Sequence, residues 1–251
     1  MELMLTLLAA VFIGLALGLF GSGGSILTVP VLLYLLHLPE KLAIATALGI
    51  VALISAVALQ PYLWRGHLHW PLLAQLALPG MLGAWAGSYA SQFLDGRWQL
   101  LLLAVLMVLS AINMWRQQLW NFPLQHLWQL LLAGTLLGAL TGLIGVGGGF
   151  LIVPLLLAFT RLTVQSAIGC SLALIVLQSS SGFISHYWQL QQQGQQIDLK
   201  LIAMIGGVGA LGSLFALVVS GKLPQLLLRR GFALLLVLLG LLISVRSLLS
   251  A

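Results

Sequence analysis

The stretches GLFGSGGSILTVP (residues 18–30) and GLIGVGGGFLIVP (residues 142–154) decide how this chain folds. They agree at eight of thirteen positions, among them Gly21, Gly23, Gly24 and Pro30 against Gly145, Gly147, Gly148 and Pro154. At the same offset of 124 residues, AIATAL (43–48) continues over AIGCSL (167–172) without a gap. Leucine-rich sequence inflates chance identities, but it does not place glycines and a proline in the same order twice. The chain is therefore expected to be two tandem homologous repeats, residues 1–120 and 121–251.

Both stretches lie in a chain of 251 residues that is 61% hydrophobic and 6% charged, with mean hydropathy +1.13. A soluble domain carries about 25% charged residues. Ten Lys and Arg with four Asp and Glu cannot coat a water-soluble globule of this length, so an integral membrane protein is expected. The apolar runs are long and do not alternate, as at 100–110 and 233–243. A spanning helix needs about 20 apolar residues, a spanning strand about 10 of alternating polarity. The fold class is accordingly all-α. The formal charge of +6 comes from cations scattered singly, apart from Arg229 and Arg230; short loops at a membrane surface account for it, and no nucleic-acid partner is expected. Cys170 is the single cysteine, which excludes an intramolecular disulfide and a multi-cysteine metal site. The start, MELMLTLLAAVFIG, lacks a basic n-region and reads as the first membrane segment rather than a cleaved signal.

Polar and turn-forming breaks divide the chain into apolar blocks at 3–37, 43–63, 71–93, 98–115, 127–159, 165–187, 199–220 and 230–249. Tryptophans 64, 70, 98, 115, 120, 128 and 188 fall near the breaks, where an interfacial aromatic belt sits. Two blocks are too long. Residues 3–37 would make a helix of about 52 Å against a hydrocarbon core of about 30 Å. Glycine clusters break helices and proline cannot donate to the preceding turn. About eight transmembrane helices are thus expected, the first and fifth segments broken or re-entrant at their Gly-rich turns, with Pro30 and Pro154 as helix-breaking residues. A half-helix that begins at such a turn aims free N–H groups and the positive end of its dipole at the break. Two such starts at the repeat interface suit an anion. Gly21, Ser22, Gly23, Gly24 and Ser25, with Gly145, Gly147, Gly148 and Gly149, are the candidate binding residues. The bland alternative is close helix packing through small residues.

Those residues carry a resemblance. GLFGSGGSILTVPVLL and GLIGVGGGFLIVPLLL, each followed about a dozen residues on by an AIxxxL segment, resemble the TauE/SafE sulfite exporter family over nearly the whole chain. The resemblance implies a multi-pass membrane transporter of the bacterial inner membrane that moves sulfite, thiosulfate, sulfoacetate or other small sulfur-containing or organic anions. The chain departs from the commoner GxGGG form at Ser25, and it has Cys170 where family members often carry threonine or another small residue.

The block SAIGCSLALIVLQSSSG (166–182) is unusually polar for a lipid-facing helix. Thr46, Cys170, Ser171, Gln178 and Ser179 are read as groups facing the pathway; interhelical hydrogen bonding is the structural alternative. Glu40, Asp95 and Asp198 lie in breaks between blocks and Glu2 is terminal. Within the blocks, His186 is the best candidate for carrying a proton, although an interfacial histidine without a role is the commoner case. No pair of histidines has the i, i+4 spacing of a helical metal site, so neither a metal nor a cofactor is expected. GSGGS and GVGGG lack the order and the lysine of a phosphate loop, and no nucleophile is paired with a base at a recognisable spacing; the chain is not expected to be an enzyme. With the cell interior negative, each negative charge leaving gains about 2.3 kcal/mol per 100 mV, so export can run as uniport or with weak proton linkage. An anion channel and a proton-linked importer are the alternatives. The expected partners are a small anionic substrate and the lipid bilayer, with homo-oligomer formation open.

Overall fold

The structure is a computed structural model that describes residues 2–20, 25–116, 127–147, 149, 152–153, 155–156, 160, 162–219, 231, 233–234 and 236–244. Among the described residues, eight α-helices account for the main elements: α1 (Glu2–Phe20), α2 (Ser25–Tyr34), α3 (Glu40–Trp64), α4 (Trp70–Ala90), α5 (Gly96–Arg116), α6 (Leu127–Ile144), α7 (Val164–Gln192) and α8 (Leu199–Val219). Residues 149, 152–153, 155–156 and most of 231–244 are helical as well. The expected repeat boundary near residue 120 lies outside the described residues.

The helix starts follow local chemistry. Asp198 Oδ1 accepts from the N–H groups of Lys200 (2.8 Å) and Leu201 (3.2 Å) at the head of α8. Thr163 caps α7 by accepting from Ser166 N at 3.3 Å. His69 Nδ1 accepts from Leu72 N at 3.4 Å, and Pro71 follows at a position where the missing N–H costs nothing. Helices α3, α7 and α8 are long and apolar enough to cross a membrane by length and composition, and α1, α2, α5 and α6 contain shorter apolar stretches. Leu78, Leu82, Leu211 and Phe215 are 64–70% exposed on α4 and α8, the pattern of side chains that meet lipid. Trp64, Trp70, Trp98 and Trp128 are exposed at helix ends, as an interfacial belt requires.

Packing runs chiefly between the two halves of the chain rather than within them. Helix α4 lies on α6 and α1 lies on α8, backbone against backbone. A Cβ on Gly138 would land on the carbonyl of Gly80, and one on Gly142 on that of Ala84; likewise one on Gly14 would land on Gly209, and one on Gly18 on Ser213. Residue numbers rise together in both pairs, so α1 runs parallel to α8 and α4 parallel to α6. The 124-residue offset carries Gly14 and Gly18 onto Gly138 and Gly142, which makes the two seams copies of each other. Small residues permit this approach, and close packing drives helix association in lipid.

The central pair is α3 and α7. Gly182 meets Leu48, and Gly169 meets Tyr62, so these helices are antiparallel. The two contacts straddle residues 53–55 and 175–178, which places the crossing at the middle of both helices. Helix α7 runs parallel to α4: Ser181 Oγ donates to Met81 O (2.8 Å), Ser185 Oγ to Trp85 O (3.4 Å) and Gln189 Nε2 to Ser88 O (3.2 Å). Helix α3 runs parallel to α8, with Ile202 over Gly49 and Leu53 over Gly206. Taken together, α1, α3 and α8 point one way and α4, α6 and α7 the other. Equivalent helices of the two halves are therefore antiparallel.

This differs from the expectation of eight spans. Four crossings in each half would leave equivalent helices parallel. Since α1 and α3 point the same way, the chain recrosses between Phe20 and Glu40, and it does so again between Ile144 and Val164. The segments after the glycine breaks carry that return. Helix α2 supplies about 15 Å of it at 1.5 Å per residue. Its residues Ser25 to Pro30 are all buried, as non-spanning helix at membrane depth requires.

Candidate functional site

The break after α6 is defined by two glycines in the left-handed region, Gly145 at φ +78° and Gly147 at φ +68°. Gly145 N donates to Thr141 O at 2.9 Å and closes the helix. The backbone then turns beside Ile44, near the start of α3, and comes up beside Val51 and Ile175, so that Gly147 sits next to the α3–α7 crossing. Only glycine adopts this backbone without strain. A Cβ at Gly147 would lie 2.6 Å from Val51 Cγ1 and 3.2 Å from the Ser179 hydroxyl. The sequence expectation of a helix that stops at the glycines is met here, and Gly149 is buried and helical just beyond.

Two hydroxyls at the crossing, and one end of the amide next to them, have no partner. Ser179 Oγ faces the Gly147 turn and makes no hydrogen bond. Ser55 Oγ, on α3, is also buried and unbonded, and the 124-residue offset makes it the equivalent of Ser179. Gln178 is fully buried; one end of its amide lies 3.4 Å from Thr141 Oγ1, and the other faces Gly80 with no partner. Thr141 Oγ1 gives its proton to Leu137 O at 2.9 Å. Either way round, the amide keeps at least one N–H uncommitted. The Thr28 hydroxyl on α2 and the Ser171 hydroxyl on α7 are likewise buried and unbonded. A buried hydroxyl with no partner costs about 1–3 kcal/mol. Ser55 and Ser179 put two such hydroxyls where α3 and α7 cross.

The other sequence candidates fall elsewhere. Cys170 is buried, but its sulfur accepts a hydrogen bond from His69 N at 3.3 Å in the loop between α3 and α4. Nine residues of helix, about 13 Å, separate it from Ser179. Thr46, its equivalent on α3, is buried at the same remove from Ser55. Ser25 is fully buried in the first turn of α2. Pro30 lies inside α2 rather than at the break, because a half-helix tolerates proline where a neighbouring helix covers the freed carbonyl. Gly21, Ser22, Gly23, Gly24, Gly148 and Pro154 are outside the described residues. Ser55, Thr28 and Thr141 were not singled out from the sequence; the offset that relates Ser55 to Ser179 was the available signal for the first of them.

His186 is 4% exposed, with Nε2 2.9 Å from Gly142 O. A carbonyl only accepts, so Nε2 carries the proton and donates. The histidine thereby ties α7 to the end of α6, three residues before the Gly145 turn. Among the described residues, no group of three His, Cys, Asp or Glu could hold a metal ion. The described lysines, arginines and carboxylates sit at or near helix ends: Glu40 and Lys41 open α3, Arg65 follows it, Arg97 is in the first turn of α5, and Asp198 and Lys200 open α8. Among the described residues, the crossing therefore offers neutral hydrogen-bonding groups and no fixed charge.

The family described as Sulfite exporter TauE/SafE matches residues 6–243. A probable membrane transporter protein of Xylella fastidiosa (strain Temecula1) is 33% identical over 98% of this chain and 96% of its own length. One from Haemophilus influenzae (strain Rd) is 30% identical over 94% of this chain and 95% of its own. A third, from the archaeon Methanocaldococcus jannaschii, is 26% identical over 72% of this chain and 71% of its own length. No solved structure matches the chain.

Proposed function

The chain belongs to the sulfite exporter TauE/SafE family of membrane transporters, and from that premise we propose that it exports a small sulfur-containing or organic anion such as sulfite, thiosulfate or sulfoacetate across the bacterial inner membrane. The observation that carries the reading is the pair of buried, unbonded Ser55 and Ser179 hydroxyls where α3 and α7 cross, Ser179 beside the Gly147 turn, with the unpartnered Nε2 of Gln178 next to Ser179 on α7. Neutral donors and bare backbone N–H groups at the middle of a bundle bind anions without a fixed counter-charge. Gly21–Ser25 and Gly145–Gly149 serve equivalent roles in this reading, one in each repeat. An inside-negative potential then drives the anion outward at about 2.3 kcal/mol per charge per 100 mV, with no coupling ion.

The test is flux of labelled sulfite, thiosulfate and sulfoacetate from proteoliposomes under an imposed potential and no pH gradient. Stimulation by potential alone, saturating with substrate, is the expected result. Potential-independent flux overturns uniport, and single-channel currents in place of saturation point to a channel. One observation favours proton linkage as a second reading. His186 is a buried imidazole that bonds the end of α6, where it can report protonation to the turn. A dependence of flux on the pH gradient that His186→Gln abolishes would select it.

A further inference from the structure

We propose that the midplane site takes its substrate as a monoanion and rejects dianions of the same shape. This rests on the anion-site reading above. The groups at and beside the crossing are two hydroxyls, Ser55 and Ser179, and the amide of Gln178, whose Nε2 end has no partner. All three residues have relative exposures of zero. The side chains that flank Ser179 at the Gly147 turn are apolar, Val51 and Ile175.

No described cation can offset a second charge there. Lys41 and Arg65 lie about 21 and 15 Å along α3 from Ser55, and Arg97 and Lys200 belong to the first turns of α5 and α8. His186 is about 10 Å along α7 from Ser179, and its Nε2–H is already spent on the Gly142 carbonyl. The cost of taking an ion out of water rises with the square of its charge, and hydrogen bonds from neutral dipoles rise only in proportion to it. A site of hydroxyls and amide N–H groups can therefore balance one negative charge and falls short for two. Phosphate and sulfate dianions ordinarily meet arginine or lysine. The serines also accept, so a protonated oxygen on the substrate finds a partner at the same residues. Of the substrates proposed above, sulfite fits this chemistry as hydrogensulfite, whereas thiosulfate and sulfoacetate carry two charges at neutral pH and are excluded by it, so that saturable flux of either of them overturns the proposal as well.

The experiment is sulfite counterflow with full-length protein in proteoliposomes, challenged from outside by methanesulfonate or by sulfate at matched ionic strength. Both competitors have a tetrahedral sulfur with oxygens around it, and their charges are fixed at one and two across the usable pH range. Competition is the readout because sulfate stabilises proteins without binding, by exclusion from their surface. Methanesulfonate should compete at least roughly tenfold better than sulfate. Equal or better competition by sulfate overturns the proposal and leaves the anion-transport reading intact. The same holds where neither competes while sulfite counterflow persists. Absence of any sulfite, thiosulfate or sulfoacetate flux overturns both.

Discussion

Replacing Ser55 by alanine should strengthen the empty protein and weaken its grip on substrate. The Ser55 hydroxyl is fully buried on α3 and bonds nothing. Burying a hydroxyl without a partner costs about 1–3 kcal/mol, while the alanine leaves a gap the size of one oxygen, so a gain of about 1 kcal/mol is expected. For a chain of this length that is roughly 2–4 °C in Tm. When an anion is bound, the same hydroxyl gives a hydrogen bond to a charged acceptor, about 1.5–3 kcal/mol. Its loss lowers affinity roughly 10- to 150-fold at 1.4 kcal/mol per decade. Ser179→Ala, at the equivalent place in the other repeat, should behave alike. The assay is thermal unfolding of purified protein without substrate, paired with the concentration dependence of sulfite counterflow. A structural serine moves the two readouts in the same direction; a ligand-binding one moves them apart. If Ser55→Ala lowers Tm by several degrees and leaves the half-saturating sulfite concentration unchanged, the hydroxyl is part of the scaffold and the reasoning fails.

Two further outcomes follow from the same geometry. Gly147→Ala forces a side chain into φ +68° and brings its methyl to 2.6 Å from Val51 Cγ1. It should cost about 2–4 kcal/mol and abolish transport. Gly207→Ala, in open space on α8, should be neutral or stabilise by up to about 1 kcal/mol; a loss of that size at Gly207 would undo the comparison. Expressed separately, residues 1–120 and 121–251 should each be degraded, and co-expression should restore both, because the glycine seams α1–α8 and α4–α6 join one half to the other. Accumulation of either half alone as a folded, detergent-stable species counts against seams that bind the halves into one unit.

Much of this architecture can be read from residues. Apolar blocks bounded by His37–Lys41, Arg65–Trp70, Leu94–Trp98 and Gln189–Lys200 coincide with the ends of α2, α3, α4 and α7 to within a few positions. A run of about 20 apolar residues in lipid can do little but form a helix. The second glycine cluster correctly marks where α6 stops, since a residue at φ +78° or +68° within an apolar run is affordable only to glycine. The direction of each helix was less accessible. Whether the segment after a glycine break turns back or crosses changes no residue pattern, because 10 to 15 buried apolar residues suit both paths. What decides it is three-dimensional: Leu48 meets Gly182 while Tyr62 meets Gly169, and this can hold only for antiparallel α3 and α7. The site shows the same division. Gln178 and Ser179 announce themselves as polar residues in an apolar run, and so does Cys170. Only the fold separates them, placing Cys170 against a loop N–H and Ser179 against the turn. Ser55 announces nothing by itself, because one serine in a 25-residue helix is unremarked in any membrane span. It acquires meaning from the inverted pairing, which brings the same position of each repeat to one crossing, unbonded on both sides. In the transport reading proposed above, halves that point in opposite directions make one central site out of two equivalent places, and that is why the repeated stretch and the repeated serine belong together.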